Sequence, residues 1–138
     1  MISNPTTLTN LQTEWSAVVK LHERMKLLVM ATFVGGAITA PALAKVLYNL
    51  PMLLAFDVLK NVVQAARDEG TVVWPSESRL WVGAKTALSW NDWDELMFGV
   101  GRRNEIAHDG KLFDSSVCLK DIANVQEQLI AWAIIDAA

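Results

Sequence analysis

Hydrophobic residues along this chain recur at intervals of three and four positions, which is the repeat of an α-helix. In the first long segment, Leu8 to Phe33, they fall on one stripe, and Gly35-Gly36 marks its end. The same repeat returns in four further segments: Met52 to Ala66, Leu80 to Leu88, Trp93 to Val100 and Leu119 to Ala138. No segment shows a sustained alternation of apolar and polar residues, so the pattern predicts an all-α protein.

Prolines and glycines indicate where these helices begin and end. Pro41 suits the first turn of a helix, and Pro51 interrupts or restarts that helix. Gly70 has the position of a helix-terminating glycine, and Asp109-Gly110 is a turn signal. Asn91 has the position of an N-cap. The boundaries predict four or five helices joined by short connections, which is typical of a helical bundle.

Length and composition favour one globular domain. The chain has 138 residues, of which 52% are hydrophobic and 20% charged, and no linker or internal repeat divides residues 1–138. The single cysteine, Cys118, excludes an intrachain disulfide and an all-thiolate metal site. The first ten residues, MISNPTTLTN, lack the basic region and cleavage site of a signal peptide, so we expect a cytoplasmic protein.

One uncharged stretch raises the question of a membrane. Leu27 to Ala44 covers 18 residues without a charge, a length at which a spanning helix is considered. The stretch contains Gly35-Gly36 and Pro41, much of the rest is alanine, and it continues the amphipathic pattern of the preceding segment. We therefore expect a core helix and no membrane partner.

The charge and the residue types exclude several classes of function. Twelve basic residues against 15 acidic ones give a net charge of −3, so broad, non-specific binding of duplex nucleic acid is disfavoured. Two histidines and one cysteine, without metal-ligand spacing, predict no metal site, and no phosphate loop or other cofactor motif is present. His22 lies on the apolar stripe of its segment and is interpreted as a core or interface residue. Any nucleic-acid function must rest on a local site.

The stretch RRNEIAHDG, from Arg102 to Gly110, is the best candidate for such a site. It places two arginines, an asparagine and His108 at the end of a helix whose other face is apolar. One interpretation is structural, because basic side chains near a helix C-terminus complement the helix dipole and can cap its carbonyl groups. The other interpretation is chemical, and the residues alone leave both open.

The same stretch resembles the signature of the HEPN superfamily, an arginine followed four to six residues later by a histidine, often as R-N-x-x-A-H. Arg103 and His108 have four residues between them, and Asn104 follows the arginine. The context over Leu80–Ala138 is similar too, with the motif late in one helix and a loop and final helix behind it. The resemblance implies a HEPN-like helical bundle and a homodimer. It also implies, as in many members, metal-independent RNA cleavage by a toxin or defence effector with an antitoxin or regulatory partner.

These residue types suit cleavage of an RNA phosphodiester. His108 can take the proton from a ribose 2′-hydroxyl near neutral pH, and the oxygen then attacks the adjacent phosphorus. The forked guanidinium of Arg103 can hold the negative charge that develops on the phosphoryl oxygens. Asn104 can orient the histidine or bind a phosphate oxygen, and we expect Arg102 to contact the RNA phosphate.

Helix geometry adds a constraint on this site. Arg103 and His108 lie about 140° apart around a regular helix, whereas Asn104 and His108 share a face. One protomer would not bring all three side chains to a single phosphate without a distorted helix end. A two-fold dimer would place two copies of the motif across a shared cleft, so we predict a homodimer with the motif at or beside its interface.

Three hypotheses for the function follow. The first is a metal-independent endoribonuclease of HEPN type, with RNA as the substrate and no cofactor. The second is a non-catalytic HEPN-like module that dimerises or binds RNA or a nucleotide, and the acidic net charge favours it. The third is an unrelated helical interaction or membrane-associated protein, in which Leu27–Ala44 would be the anchor.

Overall fold

A computed structural model describes residues 1–34, 47–76 and 79–137 of the chain. These residues form five α-helices and no β-strand: α1 (Pro5–Val34), α2 (Asn49–Glu69), α3 (Leu80–Ala87), α4 (Trp93–Asp109) and α5 (Ser115–Ala131). The predicted all-α class and the predicted helical bundle are confirmed for this part of the chain. Gly35-Gly36 and Pro41 lie outside the described residues.

Helix α2 is the centre of the bundle and packs against the other four helices. It is apolar on most of its circumference, which is typical of a helix buried on several sides. Six of its side chains have no exposed surface: Met52, Ala55, Leu59, Val62, Val63 and Ala66. The other helices supply one face each, with Leu11, Trp15 and Val18 from α1, Leu96 from α4, and Ile122, Val125 and Leu129 from α5.

The first helix begins earlier than the apolar stripe predicts. Asn4 precedes the helix, and its Oδ1 accepts hydrogen bonds from the backbone N–H groups of Thr6 (3.0 Å) and Thr7 (3.2 Å). This is N-capping, and Pro5 at the first helical position needs no partner for an N–H group. The helix therefore begins at Pro5, ahead of the predicted start near Leu8, because the residue that caps it is Asn4.

The cap of α4 lies one residue after the predicted one. Asp92 is the N-cap residue, and its Oδ1 accepts from the backbone N–H of Glu95 at 3.2 Å. The backbone N–H of Asn91 instead donates to Oε1 of Gln128 at 2.8 Å. The predicted role of Asn91 is wrong because this residue belongs to the turn that α5 holds in place.

The last helix also differs from its prediction, which extended from Leu119 to the end of the chain. It ends at Ala131 because Ala133 adopts a left-handed conformation with φ 57°. The N–H of Ala133 donates to the carbonyl of Ile130, and the N–H of Ile134 donates to that of Leu129, both at 2.9 Å. These two bonds form a Schellman motif, which closes the carbonyl end of the helix.

Other boundary signals agree with the structure. Gly70 ends α2 with φ 74°, and Gly110 ends α4 with φ 67°. Pro51 lies in the first turn of α2 and does not interrupt it, because a proline there lacks only an N–H group that has no helical partner.

No helix within the described ranges is long and apolar enough to cross a membrane, and residues 35–44 of the flagged stretch are outside those ranges.

Candidate functional site

The position of the motif is set by a close approach between α2 and α4. A Cβ atom placed on Gly99 would overlap the ring of Phe56, so only glycine allows the two helices to lie this close. Gly99 is buried, and Arg103 follows it one helical turn later. The approach therefore places the start of the RRNEIAH segment beside the middle of α2.

Arg103 is held there by a carboxylate of α2. Its Nη2 donates to Oδ1 of Asp57 at 2.6 Å, and its Nε donates to the same oxygen at 3.2 Å. Its third nitrogen, Nη1, lies 3.4 Å from Oδ1 of Asn104. The Asp57 carboxylate thus fixes the plane of the guanidinium and leaves Nη1 on the edge that faces away from it. Sequence reasoning missed Asp57, although a lone carboxylate inside the apolar run LLAFDVL is a signal that could have found it.

A cleft of about 180 Å³ lies beside this pair, between α2, α3 and α4. It is lined by Phe56, Asp57, Lys60, Trp81, Val100, Arg103 and Asn104. Lys60 forms no ion pair within the described part of the chain, and the indole N–H of Trp81 has no acceptor there. The lining is therefore rich in hydrogen-bond donors, with one carboxylate that Arg103 already neutralises.

Trp81 forms one edge of a tryptophan cluster behind the cleft. Its ring centroid lies 6.4 Å from that of Trp90, which in turn is 4.8 Å from both Trp93 and Trp132. The indole N–H of Trp90 donates to the carbonyl of Ala84 at 2.9 Å, so the ring behind Trp81 is fixed. The cluster holds the Trp81 ring at the wall of the cleft.

Arg102 points to a different helix from its neighbour. Its Nε and Nη2 donate to the two carboxylate oxygens of Asp121 on α5, at 2.7 and 2.6 Å. Only 1% of the Asp121 side chain is exposed, and its hydrogen bonds raise the pKa of Arg102. Arg102 thus ties α4 to α5. The predicted phosphate contact of Arg102 stays a prediction, because two of its three nitrogens are occupied by Asp121.

His108 lies in the last turn of α4, is exposed, and is not among the residues that line the cleft. The end of the helix is closed by the backbone: the N–H of Gly110 and that of Lys111, the latter at 3.2 Å, donate to the carbonyl of Glu105. The side chain of His108 takes no part in this cap. The structure therefore brings Arg103 and Asn104 to one cleft and leaves His108 on the outer face of the same helix.

That outer face of α4 carries other uncovered residues. The side chain of Phe98 is 64% exposed, and a Cβ atom on Gly101 would meet no atom within 4 Å. His108 follows on the same side of the helix. This surface, which we call the outer face of α4, is defined by Phe98, Gly101, Glu105 and His108.

Other side chains that could take part in chemistry do not lie at this site. Burial raises the pKa of the Cys118 thiol to about 11, so a reactive thiolate is disfavoured. Among the residues described, no group of three or more His, Cys, Asp or Glu side chains is placed to hold a metal ion. A second cleft of about 250 Å³, between α1 and α2, shares Asp57 but is otherwise mostly apolar.

Comparison of the chain with models of protein families, with curated proteins and with solved structures gave no match. The resemblance to the HEPN superfamily rests on the RRNEIAH segment, on its place at the end of α4 and on the helix that follows it.

Proposed function

We propose that this protein is a metal-independent endoribonuclease of HEPN type that acts as a toxin or defence effector. The observation that carries the proposal is the arrangement around Arg103. Its guanidinium is oriented by Asp57 at a cleft whose lining consists largely of hydrogen-bond donors. Such a lining suits an anionic ligand, and an RNA phosphate is the anion that the histidine of the same motif, His108, can process.

The reaction uses the ribose as its own nucleophile. His108 takes the proton of the 2′-hydroxyl, the 2′-oxygen attacks the phosphorus, and the bond from phosphorus to the 5′-oxygen breaks. Arg103 stabilises the charge on the phosphoryl oxygens, and Asn104 orients the phosphate or the histidine. A second histidine protonates the leaving 5′-oxygen. The products are a 2′,3′-cyclic phosphate, or its opened monophosphate, and a 5′-hydroxyl.

A homodimer supplies what one protomer lacks. Arg103 and His108 lie about 140° apart around α4, so one copy does not aim both at a single phosphate. Two copies that meet along the outer face of α4, with the two-fold axis near Asn104, would bring the His108 of each copy towards the cleft of the other, because Asn104 both lines the cleft and shares a face with His108. The exposed Phe98 and the uncovered Gly101 support this face as the interface. An antitoxin or regulatory partner would act on the same assembly.

The test is a cleavage assay with purified protein in excess EDTA. We expect cleavage to persist, His108→Ala and Arg103→Ala to abolish it, and Asp109→Ala, an exposed neighbour, to leave it intact. A single 2′-deoxyribose at the cut site must block the reaction, because the nucleophile is then absent. Efficient cutting of DNA, or products with a 5′-phosphate, would assign the attack to water and overturn the role of His108.

The second candidate is a non-catalytic module that binds RNA or a nucleotide. It is favoured by the position of His108, which is outside the cleft that holds Arg103 and Asn104. In that case the protein binds RNA, Arg103→Ala weakens the binding, and no cleavage products form under any condition. His108→Ala would then leave binding unchanged.

A further inference from the structure

Two walls of the donor-lined cleft come from residues outside the RRNEIAH segment. Lys60 belongs to α2 and lies one turn after Phe56, and Trp81 belongs to the first turn of α3. Within the described residues neither side chain bonds to Arg103, whose guanidinium is held by Asp57 and Asn104. Trp81 packs against the core through the tryptophan cluster but is only half-buried, so part of its surface remains exposed at the cleft.

Lys60 adds a positive charge to the cleft lining. Like Lys20 and Lys85 it has no carboxylate partner within 4 Å in the described residues, whereas Lys26, Lys111 and Lys120 are paired. Lys60 is exposed and lines the cleft together with Arg103, whose own charge is already offset by Asp57. The net charge of the cleft lining is therefore +1, from Lys60 and Arg103 against Asp57. In a chain with a net charge of −3, this is a local site for an anion.

Trp81 adds an aromatic wall with an unused donor. The indole N–H groups of Trp90 and Trp132 are bonded to the carbonyls of Ala84 and Ser89, at 2.9 and 2.6 Å. That of Trp81 has no acceptor in the described part of the chain, and the side chain is only half-buried. A rigidly backed aromatic ring beside a cation is the combination that binds one nucleotide: the base stacks and the phosphate is held.

We propose that Trp81 and Lys60 form a one-nucleotide subsite beside the cleaved bond. A nucleobase stacks on Trp81, and its phosphate lies between Lys60 and Arg103. The cleft volume of about 180 Å³ suits one nucleobase better than a base pair, so we expect the nucleotide to be unpaired. This inference rests on the proposed function, because it assumes that Arg103 faces RNA.

The experiment measures RNA binding separately from cleavage. In the His108→Ala background, the affinity for a fluorescently labelled, short single-stranded RNA is measured by anisotropy. We expect Trp81→Leu and Lys60→Gln each to weaken binding about 10-fold, and Trp81→Phe to restore most of it because an aromatic face remains. Lys20→Gln, which removes an exposed lysine of α1 outside the cleft, is the matched control and should bind as the parent does.

Salt dependence separates the two roles. Lys60→Gln should reduce the slope of log affinity against log salt by about 0.7, the value for one phosphate contact on a single strand, whereas Trp81→Phe should leave the slope unchanged. Circular dichroism melting of each variant verifies that the fold is retained, and the Phe variant still tests the stacking if the Leu variant unfolds. A fully paired duplex of the same sequence should bind more weakly.

The possible results distinguish this inference from the proposed function. If Trp81→Leu and Lys60→Gln bind RNA as Lys20→Gln does, while the unmodified protein cleaves RNA in a manner that requires His108, the subsite is wrong and the nuclease stands. If the two variants lose binding but the unmodified protein never cleaves RNA, the subsite stands and the nuclease is wrong. Absence of any RNA binding overturns both.

Discussion

Arg102 and Arg103 are adjacent in the chain but form ion pairs with two different helices. Arg102 is tied to a carboxylate with 1% exposure on α5, whereas Arg103 pairs with Asp57, which is 38% exposed, on α2. About 100° of rotation separates neighbouring residues on a helix, and this rotation is enough to direct them to different partners. One arginine therefore stabilises the bundle, and the other is available at the cleft.

This difference predicts opposite outcomes for the two carboxylates. Asp121→Ala should lower the free energy of unfolding by about 2–3 kcal/mol, because it removes a two-bond ion pair whose carboxylate is shielded from solvent. Asp57→Ala should cost less than about 1 kcal/mol, since both groups reach solvent, but it should reduce RNA cleavage about 10-fold by releasing Arg103. Chemical denaturation and the cleavage assay measure the two effects. Equal destabilisation by both variants would contradict the distinction.

His22 gives the molecule a dependence on pH. Burial, and to a lesser extent Lys26, lowers the pKa of His22, and its Nε2 is buried without a hydrogen-bond partner in the described residues. The folded state thus favours the neutral ring, so its contribution to stability is complete above the unfolded pKa of 6.5 and decreases as pH falls towards the folded pKa. Denaturation curves should show this decrease between about pH 7 and pH 5, and His22→Gln should remove it. His108→Gln is the control for loss of an exposed histidine, and a decrease that persists in His22→Gln would assign it to another group.

At the level of whole helices, two glycines of α4 have different environments: Gly99 packs against α2, and Gly101 lies on an exposed surface. Gly99 receives the ring of Phe56, whereas Gly101 has no neighbour at its Cβ position. The first is therefore required by packing between helices. The second lies on the outer face of α4, where a glycine only weakens the helix unless something else covers it.

The two glycines form a matched pair for mutation. Gly99→Ala should destabilise the protein by about 1–3 kcal/mol, because the added methyl group displaces Phe56, and it should also lower cleavage by shifting the cleft. Gly101→Ala should leave the free energy of unfolding unchanged or raise it by up to about 1 kcal/mol. Urea denaturation of both variants is the measurement. A stable Gly99→Ala would mean that the close approach of α2 and α4 is not required.

At the scale of the whole molecule, the composite site that we propose needs two copies of the chain. A chain with a net negative charge can bind RNA without an extended basic surface if a local set of donors holds one phosphate. The outer faces of α4 in the two copies would then supply the two histidines. In the proposed dimer, His108 of one copy would serve Arg103 of the other. This arrangement predicts an association that depends on Phe98.

We expect a homodimer in solution at micromolar concentration, measured by multi-angle light scattering. Phe98→Asp should convert it to a monomer and abolish cleavage, because two charges would then face each other across the two-fold axis. Val82→Asp, at a site on α3 that is 51% exposed, is the control and should remain dimeric and active. A strictly monomeric mass for the unmodified protein would remove the composite site.

The all-α class and the approximate places of the helices could be predicted from the sequence. Leu11, Trp15 and Val18 are buried as their spacing indicates, and Gly70 and Gly110 end helices as expected. Helix ends that are set by a side-chain cap or by the conformation of one residue could not be predicted to the exact residue. The cap at Asp92 and the left-handed Ala133 depend on which of several neighbouring polar or small residues the packing selects.

Features that depend on local geometry are readable from the sequence: the helical repeat, the glycines that end helices, and the position of Arg103, Asn104 and His108 near one helix end. Which side chains meet depends on how the helices pack. Asp57 and Asp121 are both lone carboxylates in largely apolar segments, and nothing local indicates which arginine each will hold. Those pairings depend on how whole helices pack: α2 against α4 for Asp57, and α5 against α4 for Asp121. The meeting of Lys60 with Trp81 depends on the packing of α2 against α3. A helix repeat arises from bonds between residues four apart, whereas the approach of α2 to α4 depends on contacts between Gly99 and Phe56, which are far apart in the chain.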